Sequence, residues 1–359
     1  MTSAALSFGF LLFVFLTEAC IALPSCKAEK AINHMRKIKD VDSYIYNDTH
    51  LLNINNKGIK TLNKDVFAYY ANINRNQIEF IYLMYNNIND FESGAFEDFT
   101  NVRNINFGVN LLETIKRNFF RGTKKIDFLN FQSNLIHSIE AGSFDELTQL
   151  EYVYLDDNCL THIPDHLFHH TVRIRNIFLQ QNRLIHVSST FMRPSQKLFG
   201  LNIAENRLSD ISNLFRFKGL MSLIASNNKL NPINSDGISE SEMISLNINN
   251  TTISEIDFVQ NFGKLRELYA ANNQIRSFDV ETFTRNSELA YVSLQSNPLE
   301  EVSIERVKEF FPNLSVLDIS NSPMESNCHK IIDLYKDAKE NSINLNINTN
   351  HLTNCLENF

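Results

Sequence analysis

The sequence predicts an α/β solenoid: a horseshoe of about twelve coils, a parallel β-sheet along its concave face and a cap at each end. Three observations carry this expectation. Asparagine recurs on an even step of 24 residues at Asn86, Asn110, Asn134, Asn158, Asn182 and Asn206. Apolar residues keep one phase around each of them, as Leu150, Val153, Leu155 and Leu160 do around Asn158. Phenylalanine returns ten residues after the phase position at Phe67, Phe96, Phe120, Phe144, Phe168 and Phe283. Asn228, Asn273 and Asn297 extend the series with slightly adjusted steps. Three further coils keep the apolar phase with Lys57, Thr251 or Ser322 in place of the asparagine. Chance apolar runs do not hold phase over about 270 residues.

Each position in a coil has a physical task. Val153 and Leu155 alternate along a short strand, so both point to one face. Asn158 ends the strand, and its amide can bond turn backbone that would otherwise be buried unpaired. Leu160 and Ile163 turn the chain inward, and Phe168 fills the far wall. One coil cannot bury its own apolar face, so it needs copies above and below. The pattern L-x-x-L-x-L-x-x-N-x-L is that of a leucine-rich repeat.

At 359 residues, 43% hydrophobic and 21% charged, the chain is a folded rather than a disordered one. Length alone would allow two globular domains; the repeat replaces them with one solenoid. Leu6 to Leu16 is an apolar run too short to span a bilayer, and small residues follow it. Residues 1–22 therefore read as a secretory signal peptide, cleaved after Ala22. No later run approaches the ~20 apolar residues of a transmembrane helix, and the C-terminal HLTNCLENF is no anchor signal. A secreted, extracellular product is expected, with no membrane span. The net charge of −8 disfavours nucleic acid and anionic membrane as partners. Asn47, Asn249, Asn250 and Asn313 head glycosylation sequons, and sterically only one of Asn249 and Asn250 would be used.

Residues 23–50 form the expected N-terminal cap, with a helical turn in Ala28 to Lys39 and an edge strand in Ser43 to Tyr46. Repeats fill 51–324, with a bulge at Tyr69 to Gln77. The coils at Asn206, Asn228 and Thr251 lack the tenth-place phenylalanine, which predicts a thinner outer wall and a local change of curvature. Residues 325–359 form the C-terminal cap. Within it Asn327 caps a helix with Ile331, Leu334, Tyr335 and Ala338 on one face. Asn341 to Asn348 alternates as a last strand.

Of five cysteines, Cys20 leaves with the signal peptide. The four that remain allow three pairings. Cys328–Cys355 is local, encloses the terminal cap and is the expected bond. Cys26 and Cys159 are separated by coil steps that amount to about 20 Å along the axis. A disulfide needs Cα atoms within ~7 Å, so the two are not expected to pair within one chain. Cys159 is placed near the surface, and both are candidates for an intermolecular disulfide.

Strand residues between the inward ones point outward and form the concave face. They include Phe80, Tyr82, Phe128, Tyr152, Tyr154, Asp156, Phe178, Tyr269 and Tyr291, with Tyr85 adjacent. Aromatics alternate with amides such as Asn104, Asn106 and Asn130, and no Lys or Arg occurs in these columns. Large rings on a rigid sheet lose little entropy on binding, and adaptable amides beside them suit a protein partner. Two other readings remain open at this point: glycan binding by stacking on tyrosine, and ring ladders that only stabilise the sheet. Enzyme signatures are absent: no Gly-rich phosphate loop, no H-E-x-x-H and no G-x-S-x-G. No enzymatic activity, cofactor or metal is expected. His162, His166, His169, His170 and His186 read as surface residues, with a pH-sensitive edge and metal binding the weaker alternatives.

The repeat, signal and caps resemble secreted animal leucine-rich repeat proteins, and the 24-residue coil with its tenth-place phenylalanine is similar to Toll-receptor ectodomains. In layout, residues 1–359 most resemble mosquito leucine-rich immune proteins of the coil-less type, since no heptads follow the repeats. Members of that family are secreted horseshoes of the haemolymph, some of which bind complement-like thioester proteins. The resemblance implies a non-enzymatic innate-immune recognition factor. It also implies, as partner, a complement-like thioester protein or another leucine-rich repeat chain. An extracellular adhesion or matrix module, or an inhibitor of an extracellular enzyme, is the alternative. The L-x-G-x-I-P repeat of plant polygalacturonase inhibitors is absent.

Overall fold

The computed structural model describes residues 30, 50–70, 74–193, 198–217, 219–234, 238, 241–282 and 288–358. The expected signal peptide, the expected helix and strand of the N-terminal cap (Lys30 apart), Cys26, Asn47 and Phe283 lie outside the described residues. The chain divides into two compact units, Met1–Thr161 and His162–Phe359. Both are leucine-rich repeat solenoids.

In the first unit the strands Leu51–Asn53, Phe80–Tyr82, Asn104–Asn106, Phe128–Asn130 and Tyr152–Tyr154 pair in parallel in chain order. In the second the order is Asn176–Phe178, Gly200–Asn202, Ser222–Ile224, Ser245–Asn247, Glu267–Tyr269, Tyr291–Ser293, Val316–Asp318 and Asn344–Asn346. The middle residue of nearly every strand is buried and its neighbours are half-exposed, the signature of a sheet with one wet face.

The repeated asparagine ties one coil to the next. Asn110 Nδ2 donates to the carbonyls of Phe107 in its own coil and Leu83 in the coil before, both at 2.9 Å. Its Oδ1 accepts from the Ile88 N–H at 3.0 Å. Asn134 and Asn158 repeat this in the first unit, and Asn206, Asn228, Asn273 and Asn297 in the second. Thr251 is shorter, and its hydroxyl reaches only Ile248 O and the Asn273 amide oxygen. Lys57 is exposed in the first described coil.

Behind the sheet, rings fill the far wall. Phe67–Phe96, Phe96–Phe120 and Phe120–Phe144 centroids lie 5.2, 6.4 and 6.4 Å apart. The strand-side rings Phe91, Phe107 and Phe131 stack between them. One expectation fails here. The coil at Asn206 does not thin, because a 3-10 helix, Ser212–Arg216, turns Phe215 and Phe217 inward. Phe217 meets Phe191 at 5.3 Å and Phe215 meets Phe262 at 5.1 Å. The same device, Asp257–Asn261, buries Phe258 in the coil at Thr251.

The insert after the first coil begins with a helix, Lys64–Tyr70, whose first turn is capped by Asn63 accepting from the Val66 N–H at 2.9 Å. In the C-terminal cap, Asn327 accepts from the Lys330 N–H and starts the helix Cys328–Glu340, which buries Ile331, Leu334 and Ala338. Strand Asn344–Asn346 closes the sheet edge. A second helix, Thr349–Asn358, follows it, which the sequence reading does not anticipate. Cys328 and Cys355 form a disulfide that joins the two helices. No helix among the described residues is long and apolar enough to cross a membrane.

Cys159 is a correction. It is buried, 4% exposed, rather than near the surface, and it is disulfide-bonded. Cys328 and Cys355 bond to each other, so its partner lies outside the described residues. A thiol already bonded within the chain is not the intermolecular candidate the sequence suggests. A separation of about 20 Å along the axis would require residues before the first coil to stay beside it. Lys30 does not: its ammonium ion-pairs with Asp157, two residues from Cys159.

Candidate functional site

The outward face of the first unit is set by register. Phe80, Asn104, Phe128 and Tyr152 align in one column, and Asn53, Tyr82, Asn106, Asn130 and Tyr154 in the next. All are half-buried. Phe128 and Tyr154 pack diagonally with centroids 5.2 Å apart. Tyr82 does not join them: three strand steps, about 14 Å, separate it from Tyr154 along the column.

The amides between them have a structural task. Asn53, Asn106 and Asn130 each accept, through Oδ1, from the N–H two residues on, at 3.1, 2.9 and 2.7 Å. They close an Asx turn at the strand end. Asn202, Asn247 and Asp318 do the same in the second unit. Each of these side-chain oxygens thus already holds a turn N–H. The residue before each ladder asparagine then takes a left-handed conformation. Tyr85 stands there with φ 56°, Val109 with 57° and Asp157 with 54°.

In the second unit Phe178 is half-buried on strand Asn176–Phe178. Tyr269 and Tyr291 on neighbouring strands pair at 5.0 Å. Burial, and then the Glu267 carboxylate, hold the Tyr269 hydroxyl above the ordinary tyrosine range. Phe199, 56% exposed at the entrance of strand Gly200–Asn202, is a contact candidate that the repeat pattern hides. A Cβ at Gly200 beside it would lie 2.5 Å from Asn176 Nδ2, so a larger residue there would require the Asn176 side chain to shift.

Asp156 is the electrostatic anomaly of the first unit. It is an outward position, yet only 2% exposed. Oδ1 has no hydrogen-bond partner among the described residues. Burial, reinforced by the Asp157 carboxylate, pushes its carboxyl up to about 6, against bonds from its own backbone and Gln132 and the charge of Lys30. Burial and then Asp156 also raise Tyr154. Asp157 accepts from Ser133 Oγ at 2.6 Å and pairs with Lys30. The concave columns carry no basic residue in sequence, but Lys30 brings one to their edge from more than a hundred residues away.

The histidines form a local pair. His166 Nδ1 and His169 Nε2 are 2.9 Å apart, and burial, then His166, lower His169. Among the described residues no cluster of three or more metal-ligating side chains occurs. Of the overlapping sequons, Asn249 is half-buried and accepts from the Ala271 N–H at 2.7 Å, whereas Asn250 is exposed, as is Asn313.

A leucine-rich repeat family model matches residues 76–136 and 129–184. No curated protein matches the chain in sequence. Among solved structures, the APL1 leucine-rich repeat domain, a mosquito protein, is similar at 22% identity and TM-score 0.62, over 74% of this chain and 67% of that one. A chain of the LRIM1/APL1C complex is similar at 22% identity and TM-score 0.63, over 74% of this chain and 47% of that one. The Drosophila Toll–Spatzle complex is similar at 19% identity and TM-score 0.59, over 82% of this chain and 48% of that one. The chain thus spans about half the length of the latter two. At these identities the likeness is one of fold.

Proposed function

We propose that the chain is a secreted, non-enzymatic protein-binding scaffold of innate immunity. It acts through the aromatic residues of its outward sheet faces: Phe80, Tyr82, Phe128, Tyr152 and Tyr154 in the first unit, and Phe178, Tyr269 and Tyr291 in the second. The observation that carries the reading is the Phe128–Tyr154 pair, half-buried on a wet face while the strand residues between them point to the core. Rings of that size, held by a rigid sheet, supply contact area at little entropic cost. In this reading residues 1–22 are removed on secretion, 23–50 and 325–359 cap the repeats at 51–324, and Asn250 carries a glycan in preference to Asn249. The partner is another leucine-rich repeat chain or a complement-like thioester protein. The solved LRIM1/APL1C complex supports the first, since it joins two such chains.

A ring ladder that only stiffens the sheet is favoured by the same pairs, so the test must separate the two. Tyr82, Tyr154 and Phe178 are replaced together by alanine. The secreted variant is compared with wild type for capture of partners from native extracellular fluid. Loss of capture at unchanged secretion supports binding; reduced secretion with capture retained makes the rings a ladder.

A further inference from the structure

Asp156 and Asp157 present a problem that the scaffold reading leaves unsolved. Two adjacent carboxylates repel, and one of them is 2% exposed with an oxygen that nothing described bonds. A solenoid does not need acid at this place. The equivalent residues of the preceding coil are Gln132 and Ser133, and those of the coil before that are Gly108 and Val109. The pair is met by a cation. The Lys30 ammonium bonds Asp157 Oδ1, and its charge acts on Asp156 as well. Asp157 Oδ2 is fixed by Ser133 Oγ, so the carboxylate is aimed before any cation arrives. Tyr152 and Tyr154, alternate residues of the same strand, present their rings on the same face. Two carboxylates and neighbouring aromatic rings form the chemistry that takes a primary ammonium group.

We propose that the Asp156–Asp157 pair beside Tyr152 and Tyr154 is an ammonium-binding subsite, filled in the free chain by Lys30 and in a complex by a lysine side chain of the protein partner. This rests on reading the face as a binding surface, and it adds the chemistry of the partner: a basic residue that competes with Lys30. The orphaned oxygen of Asp156 gives the incoming ammonium a bond that Lys30 leaves unmade.

The test uses the full chain without any partner, so it can fail while the scaffold reading stands. Lys30→Met keeps much of the side-chain stem and removes the charge; Lys30→Ala removes both. n-Butylammonium chloride is titrated into each, with n-butanol and sodium chloride as controls. The expected result is a saturable rise in melting temperature of about 2 °C or more in both variants. The rise is absent with either control and absent in Lys30→Met/Asp157→Asn. No shift, or an equal shift in the Asp157→Asn double variant, overturns the proposal. The wild-type chain gives a reading that needs no variant. On the same titration the 15Nζ resonance of Lys30 should move to the position of a free lysine ammonium; a resonance that stays in place overturns the proposal too.

Discussion

The side-chain amide of Asn134 donates to the carbonyl of Phe107, one coil back, at 3.0 Å. It also donates to Phe131 O and accepts from the Leu112 N–H. All of these groups are buried, so alanine here strands several of them at once. Asn134→Ala should cost about 3 kcal/mol or more in chemical denaturation. Asn134→Asp should cost a similar amount near neutral pH, since a carboxylate cannot donate to the two carbonyls. A loss below 1 kcal/mol for either would mean that the ladder is not what joins the coils.

Val109 takes φ 57° where other coils place Ser133, Asp157 or Asn227. A β-branched residue pays a steric penalty there that asparagine largely escapes. Val109→Asn should therefore lie within about 1 kcal/mol of wild type, its lost burial offset by relief of strain. Val153→Asn, at a buried strand position, should cost more than about 3 kcal/mol. Equal losses at both positions would contradict this account.

Asp156 should make stability depend on pH. Its carboxyl is raised to about 6 in the folded chain from 3.8, so the folded state holds its proton more tightly than the unfolded one. The sign follows: stability falls as pH rises from about 4 to about 6, and the charged form is a burden above that window. Among the described residues Asp157, Lys30, Tyr154 and Gln132 interact with it, and of these four only the first two carry charge at neutral pH. Asp156→Asn should raise the melting temperature at pH 7.5, by the equivalent of about 1 to 3 kcal/mol. That gain should shrink toward pH 4. A gain constant across the range would place the effect elsewhere.

The period of the chain made much of the fold legible. Ladder asparagines, inward strand residues and the C-terminal helix with its Asn327 cap all obey local rules that repeat. What escaped depends on contacts distant in sequence or on a shift of one residue. Phe215 and Phe217 straddle the tenth place, and only the 3-10 turn shows that both point inward. Lys30 meets Asp157 across 127 residues, which no spacing rule encodes. Asn106 and Asn130 look like adaptable contacts in sequence, but an asparagine at a strand end is also the natural Asx-turn residue, and that use wins here. The place of Cys159 is not legible from a distance counted along the coils, because Lys30, far from it in sequence, lies against Asp157.

The Phe128–Tyr154 pair either contacts a partner or only stiffens the sheet. The direct measurement is the affinity of a partner captured from extracellular fluid for wild type and for Phe128→Ala/Tyr154→Ala, with the melting temperature of each. Binding should weaken by about 100-fold or more, as expected when two anchoring rings are lost, while the melting temperature changes by only a few degrees. An unchanged affinity beside a large drop in melting temperature would contradict partner contact.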